Sequence, residues 1–227
     1  MIPLPRPDTT PPVTKIYLAM LIIVKHLLDT GNYFVDTFGM EIICETSMRH
    51  VHLSQEHLEE LFGKGAQLNV VRDLSQPGQY LSDKRVTFVG PKNSIDNVAV
   101  LGPTRKVTQV EVSRTDSFML GLKDVPVRQS GDLDGAPMIE LRNKENGNCC
   151  NAYTIIAKRH IHLDVPTAQK WNIKDNQIVK IKVEGERGGV LNEAVARVHE
   201  NFSAAVHIDS DESNALGIPK SVTLLFD

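Results

Sequence analysis

The chain has 227 residues, 25 of them basic and 28 acidic, for a net charge of −3. That balance provides no basic footprint for nucleic acid, and the continuous apolar run, Ile16 to Val24, is too short to cross a bilayer as a helix. The length suits one large or two small domains and falls short of the about 250 residues typical of a (β/α)8 barrel. Three cysteines, Cys149 and Cys150 adjacent, make neither a disulfide framework nor a metal-ligand spacing. They read as inert thiols in a cytosolic protein.

Residues 1–13 carry five Pro and two Thr, a composition for an extended arm. From Thr14, a plausible N-cap, an apolar pattern runs to a stop at Gly31 and predicts a helix of about four turns. Such a helix docks on the body of its own protein, or on another protein as an address or assembly peptide. It lacks the basic leader and cleavage site of a signal peptide. Glu41 to Glu45 is then expected as a strand leading into Arg49-His50-Val51-His52-Leu53-Ser54. Ser54 opens a helix through Phe62, ended by Gly63 and Gly65, with His57 as a solvated residue on it. Val86–Val89 and Val98–Leu101 read as a hairpin, Val107–Val112 as the next strand, and Thr115–Leu120 as a helix ending at Gly121.

After a turn-rich segment, Val125 to Gly135, the plan repeats. Arg159-His160-Ile161-His162-Leu163-Asp164 matches the earlier stretch, and a helix over Thr167–Trp171 follows it. Strands Ile178–Val183 and Asn192–Val198 flank a Gly-rich turn, and Ala205–Asp209 precedes a helix from Asp211 to Leu216. The expectation is a mainly β fold with short capping helices: two small β-barrels from an internal repeat, over 41–135 and 136–227, preceded by 1–40 as arm and helix.

Side chains at i and i+2 of a strand share a face, so each His-x-His can chelate one ion. Superposing the repeat ends puts Glu111 opposite His207. Each half then offers three donors: His50, His52 and Glu111, and His160, His162 and His207. Three ligands with an open fourth position suit catalytic zinc, although iron, manganese or cobalt accept the same donors. Strand alternation would turn Glu111 outward, and only the match with His207 argues otherwise. His199 competes for the third place in the second half. Arg105, beside Lys106 in the turn after Gly102-Pro103-Thr104, is a candidate for anion recognition. Arg49 and Arg159 alternate away from the metal face and can brace their strands through a carboxylate. A cupin-like oxygenase or another metal-dependent hydrolase uses the same donor types, but a cupin gathers four on one metal in one barrel. A non-catalytic interaction module is the remaining alternative.

The His-x-His stretches, together with Phe62-Gly63-Lys64-Gly65, Asp73-Leu74-Ser75-Gln76-Pro77-Gly78-Gln79, Leu101-Gly102-Pro103-Thr104-Arg105, Thr108-Gln109-Val110-Glu111-Val112-Ser113, Ser130-Gly131-Asp132-Leu133 and His207-Ile208-Asp209, resemble the phosphotransacylases of the PduL type, or phosphate propanoyltransferases. The resemblance runs from about Glu41 to the C-terminus. It implies two barrels binding two zinc ions where they meet, and reversible acyl transfer between coenzyme A and phosphate. It implies the two ligand sets above, with Arg105 on phosphate and Ser47, Arg72, Leu101, His207 and Asn214 at coenzyme A. Ala99 departs from the family, standing where a basic residue can occur. The resemblance allows an N-terminal strand to complete the C-terminal barrel. It also allows a homo-oligomer, and a place inside a bacterial microcompartment among core proteins met through the N-terminal helix.

Overall fold

Residues 40–225 are those described in the computed structural model. The Pro-rich arm, the helix expected over Thr14–Gly31 and His26 lie outside the described residues. In chain order the elements are β1 (Met40–Ser47), β2 (His50–Ser54), α1 (Gln55–Phe62), β3 (Val70–Asp73), β4 (Tyr80–Val89), β5 (Ser94–Arg105), β6 (Gln109–Glu111) and α2 (Arg114–Leu120). Then come β7 (Val127–Arg128), β8 (Met138–Arg142), β9 (Cys149–Ala157), β10 (His160–Leu163), α3 (Val165–Lys170), β11 (Ile178–Val183), β12 (Gly189–Val198), β13 (Ala205–Asp209), α4 (Ser210–Ala215) and β14 (Ser221–Leu225). Among the described residues no helix is long and apolar enough to cross a membrane.

These strands make two closed six-strand barrels. One runs β1-β13-β10-β12-β11-β14. The other runs β4-β5-β2-β6-β9 and closes through β8, which pairs with both β9 and β4, while β3 and β7 extend its edges. Period-2 alternation aims one residue in two inward. Val51, Leu53, Phe88 and Val100 fill the first interior, and Ile161, Leu163, Ile181 and Val206 the second. In β2 and β10 the alternate positions are the histidines, so these strands have apolar side chains in the barrel and imidazoles outside it.

The barrels do not part at residue 135. β1 crosses to the second barrel, pairing parallel with β13 and antiparallel with β14. β8 and β9 lie in the first. The 41–135 and 136–227 division therefore fails. A strand joins whichever sheet offers its backbone an open edge, and sequence order does not fix that edge. Strand Glu41–Glu45 does not lead straight into the first His-x-His in one sheet, because the chain changes barrels at Met48-Arg49.

The helices are short and firmly capped. Ser113 and Asp116 form a capping box at α2, and Asp209 and Glu212 form one at α4. The N3 carboxylate of each box also receives the Arg that precedes a His-x-His: Arg49 meets Asp116 Oδ1 at 2.8 Å, and Arg159 meets Glu212 Oε1 at 2.5 Å. The braces expected for these arginines are thus built the same way twice. Asp116 is 1 % exposed, so removing Arg49 would leave a buried carboxylate without its cation.

Gly90 is fixed by space. A Cβ there would lie 2.2 Å from the Leu120 carbonyl oxygen, which accepts the Lys92 N–H at 3.0 Å. Gly90→Ala is expected to lower unfolding free energy by about 1–3 kcal/mol. A urea titration checks it through a lower midpoint at unchanged slope.

Candidate active site

Strand register builds one donor cluster on each barrel. β2 and β6 run antiparallel with His50 opposite Glu111 and His52 opposite Gln109. β10 and β13 set His160 opposite His207. Opposed residues on one face have Cβ atoms about 4.5–5.5 Å apart. The ligand atoms of His50, His52 and Glu111 lie within 4.8 Å of one another, and so do those of His160, His162 and His207. Glu111 is only 7 % exposed, with Val110 and Val112 buried as well. The second barrel covers the face that alternation alone would have turned to water. His199 does not join: it is exposed, and its Nδ1 accepts the Asn201 N–H. Three donors come from each barrel, not the cupin arrangement of four in one.

The hydrogen bonds around the rings fit two cations. His50 Nδ1 lies 2.7 Å from the Met48 carbonyl and His160 Nδ1 lies 2.9 Å from the Lys158 carbonyl. A carbonyl only accepts, so each Nδ1 carries the proton and each Nε2 keeps its lone pair for the cluster. The Nδ1 atoms of His52 and His162 are buried without a hydrogen-bond partner. Burying such an atom is costly unless something accepts its lone pair. Glu111 is oriented too: its Oε1 accepts from Gln109 Nε2 at 2.6 Å and from the Ser130 hydroxyl at 3.1 Å. Its Oε2 faces His50 Nε2 at 3.4 Å.

Electrostatics keep these groups in ligating form. Burial pushes His207 down to about 3, helped by His160 beside it. It pushes His162 to about 2, helped by His160 and His207, and it lowers His52 and His160 in the same direction. All four imidazoles are neutral at pH 7. Burial would raise the Glu111 carboxyl, but the neighbouring imidazoles of His50 and His52, the Arg105 guanidinium and the His160 imidazole outweigh it and hold the group at about 2. Neutral imidazole and ionised carboxylate are the states that bind metal.

Both clusters open on one cavity of about 730 Å³, lined also by Ser47, Arg72, Leu101 and Arg105. Asn214 does not line it; it is exposed on α4. A bulge shifts register between the His52–Leu101 and Ser54–Arg105 pairs. The extra residues carry Arg105 to the cavity rim, where its Nη1 donates to Ser130 Oγ at 2.8 Å. Ser130 therefore links the guanidinium to Glu111.

Several residues were not read as site residues. Gln109 sits two positions before Glu111, the same-face spacing that identified the histidines. Arg197, which lines the cavity, pairs with His162 as Leu101 pairs with His52, so aligning the repeats strand by strand would find it. Gln76 lies in a stretch that carries the family resemblance, but no role was read for it. Its buried amide donates to the Ser203 carbonyl at 3.0 Å and accepts the Ser203 N–H at 3.2 Å, clamping the two barrels beside the cavity. The cysteines are apart from all this: Cys44 and Cys150 are buried in the barrel cores and Cys149 is exposed.

Comparison with known proteins matches this architecture to one family. A family profile described as phosphate propanoyltransferase covers residues 43–219. A phosphate propanoyltransferase of Thermotoga maritima is 50% identical over 175 residues, spanning 77% of this chain and 83% of its own. One from Listeria monocytogenes is 46% identical over 184 residues, spanning 81% and 85%. One from Clostridioides difficile is 48% identical over 176 residues, spanning 78% and 84%. The chain belongs to the phosphate propanoyltransferase family.

Proposed function

We propose that this phosphate acyltransferase moves a short acyl group reversibly between coenzyme A and inorganic phosphate, with two zinc ions at the barrel junction. The observation that carries the reading is the pair of three-donor clusters facing one cavity that also holds Arg105. His50, His52 and Glu111 would hold one ion, and His160, His162 and His207 the other. When bound, zinc supplies Lewis-acid polarisation of a carbonyl and a seat for a thiolate.

The chain's own groups do the rest. Phosphate is a weak nucleophile until it is held and its charge is screened. The Arg105 guanidinium, fixed by Ser130, can take two phosphate oxygens and aim a third at the thioester carbon. A phosphate oxygen then bonds to that carbon, the carbon–sulfur bond breaks, and coenzyme A leaves as thiolate and takes up a proton. Ser47, Arg72 and Leu101, at the cavity wall, contact coenzyme A in this reading, with Asn214 reached only by a part that extends outside. Direct displacement fits the lining. No cysteine lines the cavity, and the Ser130 hydroxyl is already engaged by Arg105, Gln109 and Glu111. The proposal extends to a place inside a bacterial microcompartment, with the segment before residue 40 as the address.

The test is an assay of acetyl- or propionyl-coenzyme A with phosphate, following free thiol with and without a chelator. Phosphate-dependent, chelator-sensitive thiol release is expected. Isolation of a stable acyl-enzyme would sink direct displacement, and turnover without phosphate would favour a hydrolase. Gln109→Leu, which leaves Glu111 Oε1 and the Gly131 N–H short of a partner, should cost about 10–100-fold in zinc affinity or rate. Competition against a graded chelator measures it.

A further inference from the structure

Away from the barrel junction, one more set of donor atoms converges. His57 and Glu60 stand three apart on α1 and so share a helix face. Their ligand atoms and that of Cys150 on β9 all lie within 4.8 Å of one another. The proposed transfer uses none of them. His57 was expected to be solvated, but it is half-buried, and its Nδ1 is buried with no hydrogen-bond partner.

The two elements are locked together independently of these side chains. The His57 N–H donates to the capping Ser54 hydroxyl at 3.2 Å. On the other side the turn before β9 grips the end of α1. Asn143 and Asn146 donate to the Leu61 carbonyl at 3.0 and 3.1 Å, and Asn148 donates to the Glu60 carbonyl at 3.0 Å. The donors are thus presented by a rigid frame. Cys150 is 6 % exposed while Glu60 is open to solvent, so an ion can enter from the Glu60 side.

We propose that His57, Glu60 and Cys150 form a third cation site, which takes a borderline divalent ion of the zinc or cobalt kind and clips α1 to β9. A thiolate with an imidazole selects such ions over magnesium or calcium, and the carboxylate is compatible with them. Binding exchanges a proton for the ion: the Cys150 S–H bond breaks, a sulfur–metal bond forms, and the proton goes to water. Burial, then the carboxylate of Glu60 and the neighbouring Cys149, pushes this thiol up to about 12; the metal-free site therefore keeps its proton.

Cobalt(II), added to the metal-free full chain, separates this site from the junction. Only a thiolate ligand produces a sulfur-to-cobalt charge-transfer band, and the junction clusters hold nitrogen and oxygen donors alone. At saturation the band should have the intensity of one thiolate-ligated cobalt per chain, while the two junction clusters take cobalt without contributing to it. Cys150→Ser should lose the band and bind one ion fewer, Cys149→Ser should keep it, and His57→Ala should weaken it by about tenfold or more. Transferase activity of the zinc-loaded variants should be unchanged. No band in the native chain, a band surviving Cys150→Ser or lost in Cys149→Ser, or an unchanged affinity in His57→Ala would overturn the site. Should Cys150→Ser not fold, His57→Ala and Glu60→Gln decide through the same band.

Discussion

Replacing Arg105 by alanine should lower kcat/KM for phosphate by about 10²–10³-fold, the range found when one fixed transition-state donor is removed. Zinc content should stay at that of the native chain. The guanidinium contacts Ser130 Oγ and belongs to neither donor cluster, so its loss removes phosphate orientation and charge screening without removing a ligand. Its place is half-buried and beside the Glu111 carboxylate; burial lowers its pKa, and Glu111 partly offsets this. A half-desolvated charge interacts more strongly with phosphate than one in open water. Arg105→Lys should recover part of the loss, since an ammonium keeps the charge but not the two-pronged fit. Steady-state rates at varied phosphate, with zinc measured on the same samples, decide it. A collapse of zinc content would show that Arg105 supports the metals and not the anion.

The larger effect is expected from His162→Ala. This side chain is 5 % exposed, and its Nδ1 has no partner within the protein. Truncation takes one of three donors from the second cluster, and two remaining ligands bind zinc far more weakly. Zinc should fall by one ion per chain relative to the native protein, with a rate loss of about 10³-fold or more, the equivalent of several kcal/mol of Lewis-acid stabilisation. The variant should also lose the melting-temperature rise that added zinc confers, because an ion that binds only the folded state stabilises it. Elemental analysis and the thiol-release assay on one preparation check both. Retention of the native zinc content at a near-native rate would remove His162 from the proposed metal site. The first cluster provides the contrast: its Glu111 carries a formal negative charge that its counterpart His207 lacks, so two ions held there would sit in unequal fields.

Much of this site was legible before any coordinates. The i, i+2 spacing of His50 and His52 places both on one strand face whatever the tertiary fold, and the same holds for His160 and His162. Matching the repeat ends brought in Glu111 and His207, and the register pairs them with His50 and His160 as that match requires. Gln109 was legible by the same spacing rule but lacked the chemical conspicuousness of a histidine. Arg197 needed the strand-by-strand pairing of the repeats. The barrel-clamping role of Gln76 and the His57–Glu60–Cys150 cluster were not legible. Their partners are distant in sequence, and a cysteine without a spaced companion carries no metal-ligand pattern.

By itself the sequence determined the local features: the alternation of the strands, the cap at Ser54, the duplicated ligand strand and the family. These depend on residues a few positions apart, where geometry is set by the backbone. The tertiary structure decided which edge each strand joins, sending β1 into the second barrel and β8 and β9 into the first. It also decided that the outer faces of β2 and β10 are covered, and so that four imidazoles are neutral and Glu111 is a buried carboxylate. Edge pairing and burial are sums over partners far apart in the chain, and no local pattern contains them.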